Sequence, residues 1–547
     1  MHDSPMNLTG MLRERAAAHP DRIAYIYGDE QVTFAEFDRR VDSVAAALRA
    51  SGVRPGDRVA VLDKNSLPYL EVLFGAARVG AVQVPVNYRL APDEVAYIVG
   101  NAEARVLVAG AEFVPVLDAI ADRLEHTEHL IVIGPTEAYE DYASWSGSDR
   151  ASEVGGEGRA VRVASEERTR PEGGSGSGTD RVPEELDETG EVFVQLYSSG
   201  TTGLPKGVML THDNFAELLP LVDTLWDLRP ESVVMIAMPM YHIAGCTLAV
   251  AAVYAGIPGV IMREPDPVAI AKAIEAHRVT HVFLVPVLLL FMQQIPQVRE
   301  ADLSSLRLLL YGASPISDEV LRGAMRLLPD TGFMQVYGLT ETTGAITYLP
   351  PEDHVPDGAR LRSAGIPNPS TTLKIADPAT GEDLPPGQVG EILCHSPQNM
   401  LGYWSLEQAT RDTLLPDGWL RTGDIGYLDE DGYLFIHDRV KDMIISGGEN
   451  IYPAEVENVL MGHPTVADCA VIGVPNEKWG ETPKAIVVLD GEVTGRELID
   501  YCRDRLAHFK CPTSVELTDA IPRNLTGKVL KRQLREPYWT GESREVH

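Results

Sequence analysis

Short apolar runs alternate with stretches of helical periodicity along most of the chain. "RVAVLD" leads into "SLPYLEVLFGAARVG" and then "AVQVPV"; "HVFLVP" leads into "VLLLFMQQI"; "LRLLLYG" leads through Ala313, Ser314 and Pro315 into "ISDEVLRGAMRLL". Strand, helix, strand in this order predicts βαβ units, and therefore parallel sheets covered by helices. Ligands of such sheets sit at loops off the carboxyl ends of strands. "VFVQLYSSGTTG" is placed in that way, a β-rich run that ends in a glycine loop.

After about residue 440 the texture changes to smaller α+β units. "PAEVENVLMG" reads as a helix opened by proline, "VADCAVIGVP" and "KAIVVLD" as strands, and "TGRELIDYCRDRLA" as a helix with Thr494 as its N-cap. Residues 144 to 190 break the pattern. They are rich in Gly, Ser and Glu and poor in large apolar side chains, which predicts a mobile surface insertion or linker.

From Ser232 to Met262 there is no formally charged residue for longer than a bilayer span. Pro239, His242, Gly245, Gly256 and Pro258 interrupt the run, so it reads as strands and a helix buried on both faces rather than as a transmembrane segment. No integral membrane segment is expected, and peripheral association is left open.

A chain of 547 residues exceeds a single core and should divide into at least two domains. Its five cysteines are scattered, odd in number and never in C-x-x-C, which argues against a disulfide framework or a cysteine zinc site. A reducing cytoplasm fits, and the N-terminal stretch lacks the basic start and apolar run of a signal peptide. The formal charge of −33 argues against nucleic acid as a partner, and any phosphate site must be locally basic. Arg505, Lys510, Arg523, Lys528, Lys531, Arg532 and Arg535 against Glu516 and Asp519 make the end of the chain such a basic segment, either a solvated face or the part that meets the anion.

The glycine loop "YSSGTTGLPKG", residues 197 to 207, points hydroxyls and amides at whatever it holds. It is not a P-loop, because Lys206 sits between Pro205 and Gly207 and no G-K-[ST] is present. Composition alone leaves a phosphate cradle and a plain polar loop equally open.

Five stretches in register decide between them. "YSSGTTGLPKG", "MPMYHIAG" (238 to 245), "YGLTETTG" (337 to 344), "GWLRTGDIGYLDEDGYLFIHDRVKDMIISGGENIYPAEVE" (418 to 457) and "PRNLTGKVLKRQLR" (522 to 535) together resemble the adenylate-forming superfamily. That superfamily holds acyl-CoA synthetases, nonribosomal-peptide adenylation domains and beetle luciferases. The resemblance runs from about residue 7 to 537, leaves out the 144 to 190 stretch, and is greatest to bacterial medium- and long-chain fatty acyl-CoA ligases. It implies a large N-terminal domain of helix-covered sheets over 1–440 and a small mobile α+β domain over 441–547, hinged at Lys441. It also implies a two-step reaction in which a carboxylate attacks the α-phosphate of ATP, expelling pyrophosphate, and the acyl adenylate then passes its acyl group to a thiol.

Site roles come from the same resemblance. Ser198, Ser199, Gly200, Thr201, Thr202, Gly203 and Lys206 would hold the β- and γ-phosphates, and Glu341 with Thr202 would bind Mg²⁺. Thr340 would hydrogen-bond the α-phosphate; a Thr-Glu pair also reads as a helix start, a role compatible with anion binding. Gly312, Ala313, Ser314 and Gly338 would line the nucleotide and acyl sites, Tyr337 would stack on adenine, Asp424 would take the ribose hydroxyls, and Arg439 would reach the ribose or phosphate. His242 would sit beside the acyl carboxylate. Lys528 would be the adenylation lysine. After domain rotation Gly447 and Gly448 of "SGGEN" would replace it, with Trp479 and Phe509 packing on the CoA nucleotide.

The pocket-lining stretches "YHIAGC", "LYGASP" and "MQVYGLTE" set small residues beside apolar ones and, apart from the Glu341 given to Mg²⁺, hold no charged residue to recognise an ammonium or a second carboxylate, which suits an apolar acid such as a fatty acid. Aromatic acids remain an alternative, as does a carrier-protein phosphopantetheine in place of CoA. A catalytically silent adenylate binder is the reading from another class.

Overall fold

The computed structural model describes residues 8–147, 192–198 and 204–539, apart from 379, 440, 441, 448, 477, 525 and 526. Within them the expected βαβ units are present. Arg58–Leu62 runs into the Leu67–Arg78 helix, capped by the Ser66 hydroxyl, and returns as Val82–Pro85, parallel to the first strand. His281–Leu284, Leu308–Gly312 and Gly332–Leu339 are likewise parallel neighbours joined through helices, the last of which, Asp318–Leu327, is capped by Ser317.

Among the described residues the strands form four sheets of nine, eight, five and five strands. Period-two side-chain alternation explains the apolar runs, because the strand interiors are covered twice. Val59 and Val61 join the main core shared by the two larger sheets, whereas Ala60 and Leu62, one position away, join a second core on the far face. The uncharged 232–262 stretch folds as Val234–Ile236, the Ile243–Ala255 helix and Gly259–Ile261, with the helix buried from Gly245 to Val253. No helix among the described residues is long and apolar enough to cross a membrane.

One expectation needs correction. The 144–190 stretch does not begin as an insertion: Tyr142–Ser146 is a helix capped by Asp141, and Trp145 donates its indole N–H to Ser51 Oγ at 3.0 Å. An aromatic anchor there outweighs the polar composition of the neighbouring residues, and 148–190 lies outside the described residues. The glycine loop leaves the carboxyl end of Val192–Ser198 as expected. The chain then returns as Lys206–Thr211, antiparallel to the first strand with Ser198 opposite Lys206. Only then does Thr211 cap the His212–Leu225 helix, with Asn214 closing the capping box.

A third sheet escapes the periodic pattern. Thr372–Ala376, Asp383–Leu384, Gly390–His395, Leu420–Leu428 and Leu434–Arg439 form an antiparallel five-stranded sheet that feeds Leu373, Ile375, Ile392, Cys394, Leu420 and Leu434 into the main core. The C-terminal unit keeps the predicted order: Pro453–Met461, the antiparallel pair Val466–Asn476 and Gly480–Leu489, and Gly495–Arg503 capped by Thr494. One face of that pair packs under the helices, and the other, through Ala470, Ile472, Val474 and Ile486, receives Ile521, Val529, Leu534 and Tyr538 from the end of the chain. All five cysteines are free and buried.

Candidate active site

The hairpin of Gly332–Leu339 and Gly344–Leu349 carries the centre of the site. Its strands approach so closely that a Cβ on Gly338 would lie 1.7 Å from the Gly344 carbonyl oxygen, so only glycine fits. The connection is one 3₁₀ turn, Thr340–Thr342, with Thr343 and Gly344 after it in the left-handed region. No α-helix starts at Thr340-Glu341, so anion binding there cannot draw on a helix N-terminus. The turn is fixed instead by Thr342 Oγ1, which accepts from the Leu339 amide at 2.9 Å, and by Thr343 Oγ1, which donates to the Gln398 carbonyl at 2.6 Å.

Glu341 projects from this turn toward the two ends of the glycine loop. Its Oε1 accepts hydrogen bonds from Ser198 Oγ and Tyr403 OH, each at 3.0 Å. Lys206 Nζ lies 4.7 Å from the centroid of the same Tyr403 ring, within cation–π range. Burial, with Glu341 beside it, pushes the Tyr403 phenol well above its usual range, so it stays a donor. Sequence reading missed Tyr403; its only trace was an aromatic after Gly402 on the short Gly402–Tyr403 edge strand that pairs with Lys206–Thr211. Ser199, Gly200, Thr201, Thr202 and Gly203 lie outside the described residues. Among the described residues no group of three or more His, Cys, Asp or Glu could hold a metal, so a cation here would rest on Glu341 and on ligand oxygens.

Three residues before the turn, Tyr337 donates its phenol to Asp424 Oδ2 at 2.7 Å. Asp424 and Arg439 are register partners across the antiparallel sheet, with Arg439 Nε 3.4 Å from Asp424 Oδ1. Asp424 is 5 % exposed, which rules out a surface salt bridge. Burial and the adjacent Asp424 push the Tyr337 phenol far up. Burial works against the Arg439 cation, but Asp424 and Asp442 prevail and its pKa is raised.

The loop after Leu308–Gly312 adds a wall. A Cβ on Gly312 would lie 2.2 Å from the Val336 carbonyl oxygen, and Ala313 takes φ +65°, a conformation non-glycine residues rarely hold. Against this loop comes the C-terminal unit: a Cβ built on Gly527 would lie 3.0 Å from Val287 Cγ1 and 3.6 Å from Ser314 Oγ. Lys528 is next in the chain, its backbone pinned at both ends by Asn524, whose N–H reaches the Lys528 carbonyl and whose Oδ1 takes the Lys528 N–H, each at 2.9 Å. Arg523 braces the same turn by donating to the Gly527 carbonyl at 2.7 Å and to Asp468.

His242 stands before the Ile243–Ala255 helix, its ring 4.6 Å from that of Tyr241. Burial lowers its pKa to about 4, and its buried Nε2 has no hydrogen-bond partner among the described residues. It is a neutral imidazole with an open nitrogen, not a satisfied core histidine.

Gly447, Trp479 and Phe509 form a separate group on the C-terminal unit. Gly447 takes φ +62°, donates its N–H to the Trp479 carbonyl at 2.8 Å, and leaves the indole room that a Cβ at 2.6 Å would close. Trp479 and Phe509 are 48 % and 44 % exposed, so neither is core. Lys441 and Gly448 lie outside the described residues.

Comparison with known proteins adds a frame to this geometry. The family model described as AMP-binding enzyme matches residues 12–404, and that described as AMP-binding enzyme C-terminal domain matches 455–528. The chain is 39 % identical over 542 residues to a fatty acid–[acyl-carrier-protein] ligase, ScoC, of Streptomyces coeruleorubidus, covering 97 % of this chain and 96 % of the relative. It is 39 % identical over 529 residues to a feruloyl-CoA synthase of an Amycolatopsis species, covering 96 % and 97 %. A solved Mycobacterium tuberculosis fatty acyl CoA synthetase superimposes with a TM-score of 0.73 at 35 % identity, over 98 % of this chain and 99 % of that one.

Proposed function

Because the chain belongs to the AMP-binding enzyme family, with both its domains matched, we propose that it is an AMP-forming ligase that joins a fatty acid to the thiol of CoA. One observation carries the reading: the Lys528 turn is seated through Gly527 on Ser314, while Tyr337, Asp424 and Arg439 form a continuous polar chain beside it. This arrangement supports a reading in which Lys528 serves the first half-reaction.

A carboxylate cannot acylate a thiol directly, since oxide would have to leave. Attack on the α-phosphate of ATP exchanges that leaving group for AMP. The chemistry asks for positioning and charge neutralisation. Asp424 accepts the ribose hydroxyls, Tyr337 offers its ring to the adenine, and Arg439 meets the ribose or phosphate side. Thr340 donates to the α-phosphate, and the glycine loop with Lys206 holds the β- and γ-phosphates as they leave. Lys528 places its ammonium where charge grows on the carboxylate and phosphate oxygens. His242, neutral and open at Nε2, lies by the acyl carboxylate. Mg²⁺ on Glu341 and Thr202 would neutralise the pyrophosphate. Rotation at Lys441 then exchanges Lys528 for the Gly447–Gly448 loop and brings Trp479 and Phe509 to the CoA nucleotide.

Acid-dependent ATP–pyrophosphate exchange across fatty and aromatic acids tests the first step, and absence of exchange with every acid would leave a silent binder. Offering CoA and a phosphopantetheinylated carrier separately to the preformed adenylate tests the second. The carrier is the alternative acceptor that the ScoC relative favours, and an aromatic acid is the alternative substrate that the feruloyl-CoA synthase relative favours.

A further inference from the structure

The strand Leu434–Arg439 ends immediately before the proposed hinge, and its penultimate residue, Asp438, is paired with Ile425 in the sheet that carries Asp424. Asp438 therefore belongs to the N-terminal side. Its carboxylate nevertheless reaches across: Oδ2 accepts the Ala454 N–H at 3.0 Å and lies 3.8 Å from Lys531 Nζ. Lys531 is held on its own side by Glu457 Oε1 at 2.9 Å, and Glu457 also takes the Val471 N–H at 2.7 Å. The Lys531, Asp438 and Glu457 side chains are 11 %, 8 % and 19 % exposed, so the group is shielded from water.

The partners divide unequally about residues 440 and 441. Ala454, Glu457 and Lys531 all belong to the C-terminal unit, as do Asp442 and Arg535, which pair at 2.6 Å. A rotation at the hinge carries these five together and breaks the two contacts made by Asp438. Lys531 is three residues beyond Lys528, at the start of the Lys531–Arg535 helix that comes after the Lys528 turn. Whatever fixes Lys531 fixes where Lys528 can stand.

We propose that Asp438 and Lys531 are positioning residues for the adenylation half-reaction, a clasp across the hinge that holds the Lys528 turn against Ser314 and opens for thiol transfer. The inference rests on the two-step reaction proposed for this chain. Its energetics suit a switch, because the attraction within a shielded ion pair is largely offset by the cost of dehydrating both ions. Opening frees the Asp438 carboxylate while Lys531 keeps Glu457, so the clasp sets geometry without locking it.

Asp438→Asn keeps the size and an acceptor for Ala454 and removes the charge. In this variant acid-dependent ATP–pyrophosphate exchange should fall about tenfold, within the range of a typical coupling energy. Transfer from supplied acyl adenylate to CoA should be unchanged or faster, and trypsin should cut the linker after Arg439 or Lys441 sooner than in the wild-type apoprotein. Asp438→Glu should restore exchange in part. Lys531→Gln, which severs the same contact from the other side, has the same expected outcomes and serves if Asp438→Asn does not fold. Equal loss in both half-reactions overturns the proposal, and so does a linker cleavage rate equal to the wild type's. Cleavage needs no turnover, so a wild type without exchange overturns the assigned reaction while the clasp is still tested.

Discussion

Tyr337 performs two tasks that a single atom separates. Its ring stacks on the adenine in the proposed reaction, and its hydroxyl donates to Asp424 at 2.7 Å. Tyr337→Phe keeps the first and loses the second. A hydrogen bond to a charged group contributes about 1.5–3 kcal/mol, so the KM for ATP should rise by about tenfold with little change in kcat, read by exchange kinetics. In the proposed reaction Lys528 works in one half-reaction only. Lys528→Ala should lower ATP–pyrophosphate exchange by about a hundredfold or more, as expected for loss of a transition-state donor, while transfer from supplied adenylate to CoA remains. Equal loss in both steps would remove the assignment. Residues of this kind were legible because each sits in an unusual local string. Tyr403 was not, since its contacts with Glu341 and Lys206 come from an edge strand far along the chain.

At the scale of elements, the turn around Gly527 is the narrowest joint. Its φ of +75° strains any side chain there, and Val287 Cγ1, 3.0 Å from where a Cβ would lie, would have to give way. Gly527→Ala should cost about 1–2 kcal/mol of backbone strain and should lower exchange more than transfer, because the clash exists only while the turn is seated on Ser314. Measuring both half-reactions on the variant checks this. The parallel strands were readable because they are covered on both faces and become continuous apolar runs, as Val59 to Leu62 show. The antiparallel sheet from Thr372 to Arg439 carries Asp424 and Arg439 yet escaped the pattern, since Leu420–Leu428 and Leu434–Arg439 are neither continuous apolar runs nor regularly alternating in burial. For a related reason Thr340-Glu341 looked like a helix start; hydroxyl caps also serve a single 3₁₀ turn.

Over the described residues, burial lowers the pKa of five histidines, and His212, His242 and His281 are pushed down to about 4. The unfolded chain binds their protons near the ordinary value of 6.5, so the stability they contribute is full above that pH and is lost progressively as pH falls toward 4. Urea unfolding across this window should show His212→Gln with a shallower fall than the wild type, by about 1.4 kcal/mol per pH unit. The cysteines obey the same physics with a chemical result. All five are buried; burial pushes the thiols of Cys246, Cys394 and Cys502 up to about 12 and raises those of Cys469 and Cys511 as well. Thiolate, not thiol, attacks an acyl donor. A protein that prepares a mixed anhydride therefore keeps its own sulfurs as buried thiols, and packing disfavours the transfer of its acyl group to the enzyme's cysteines.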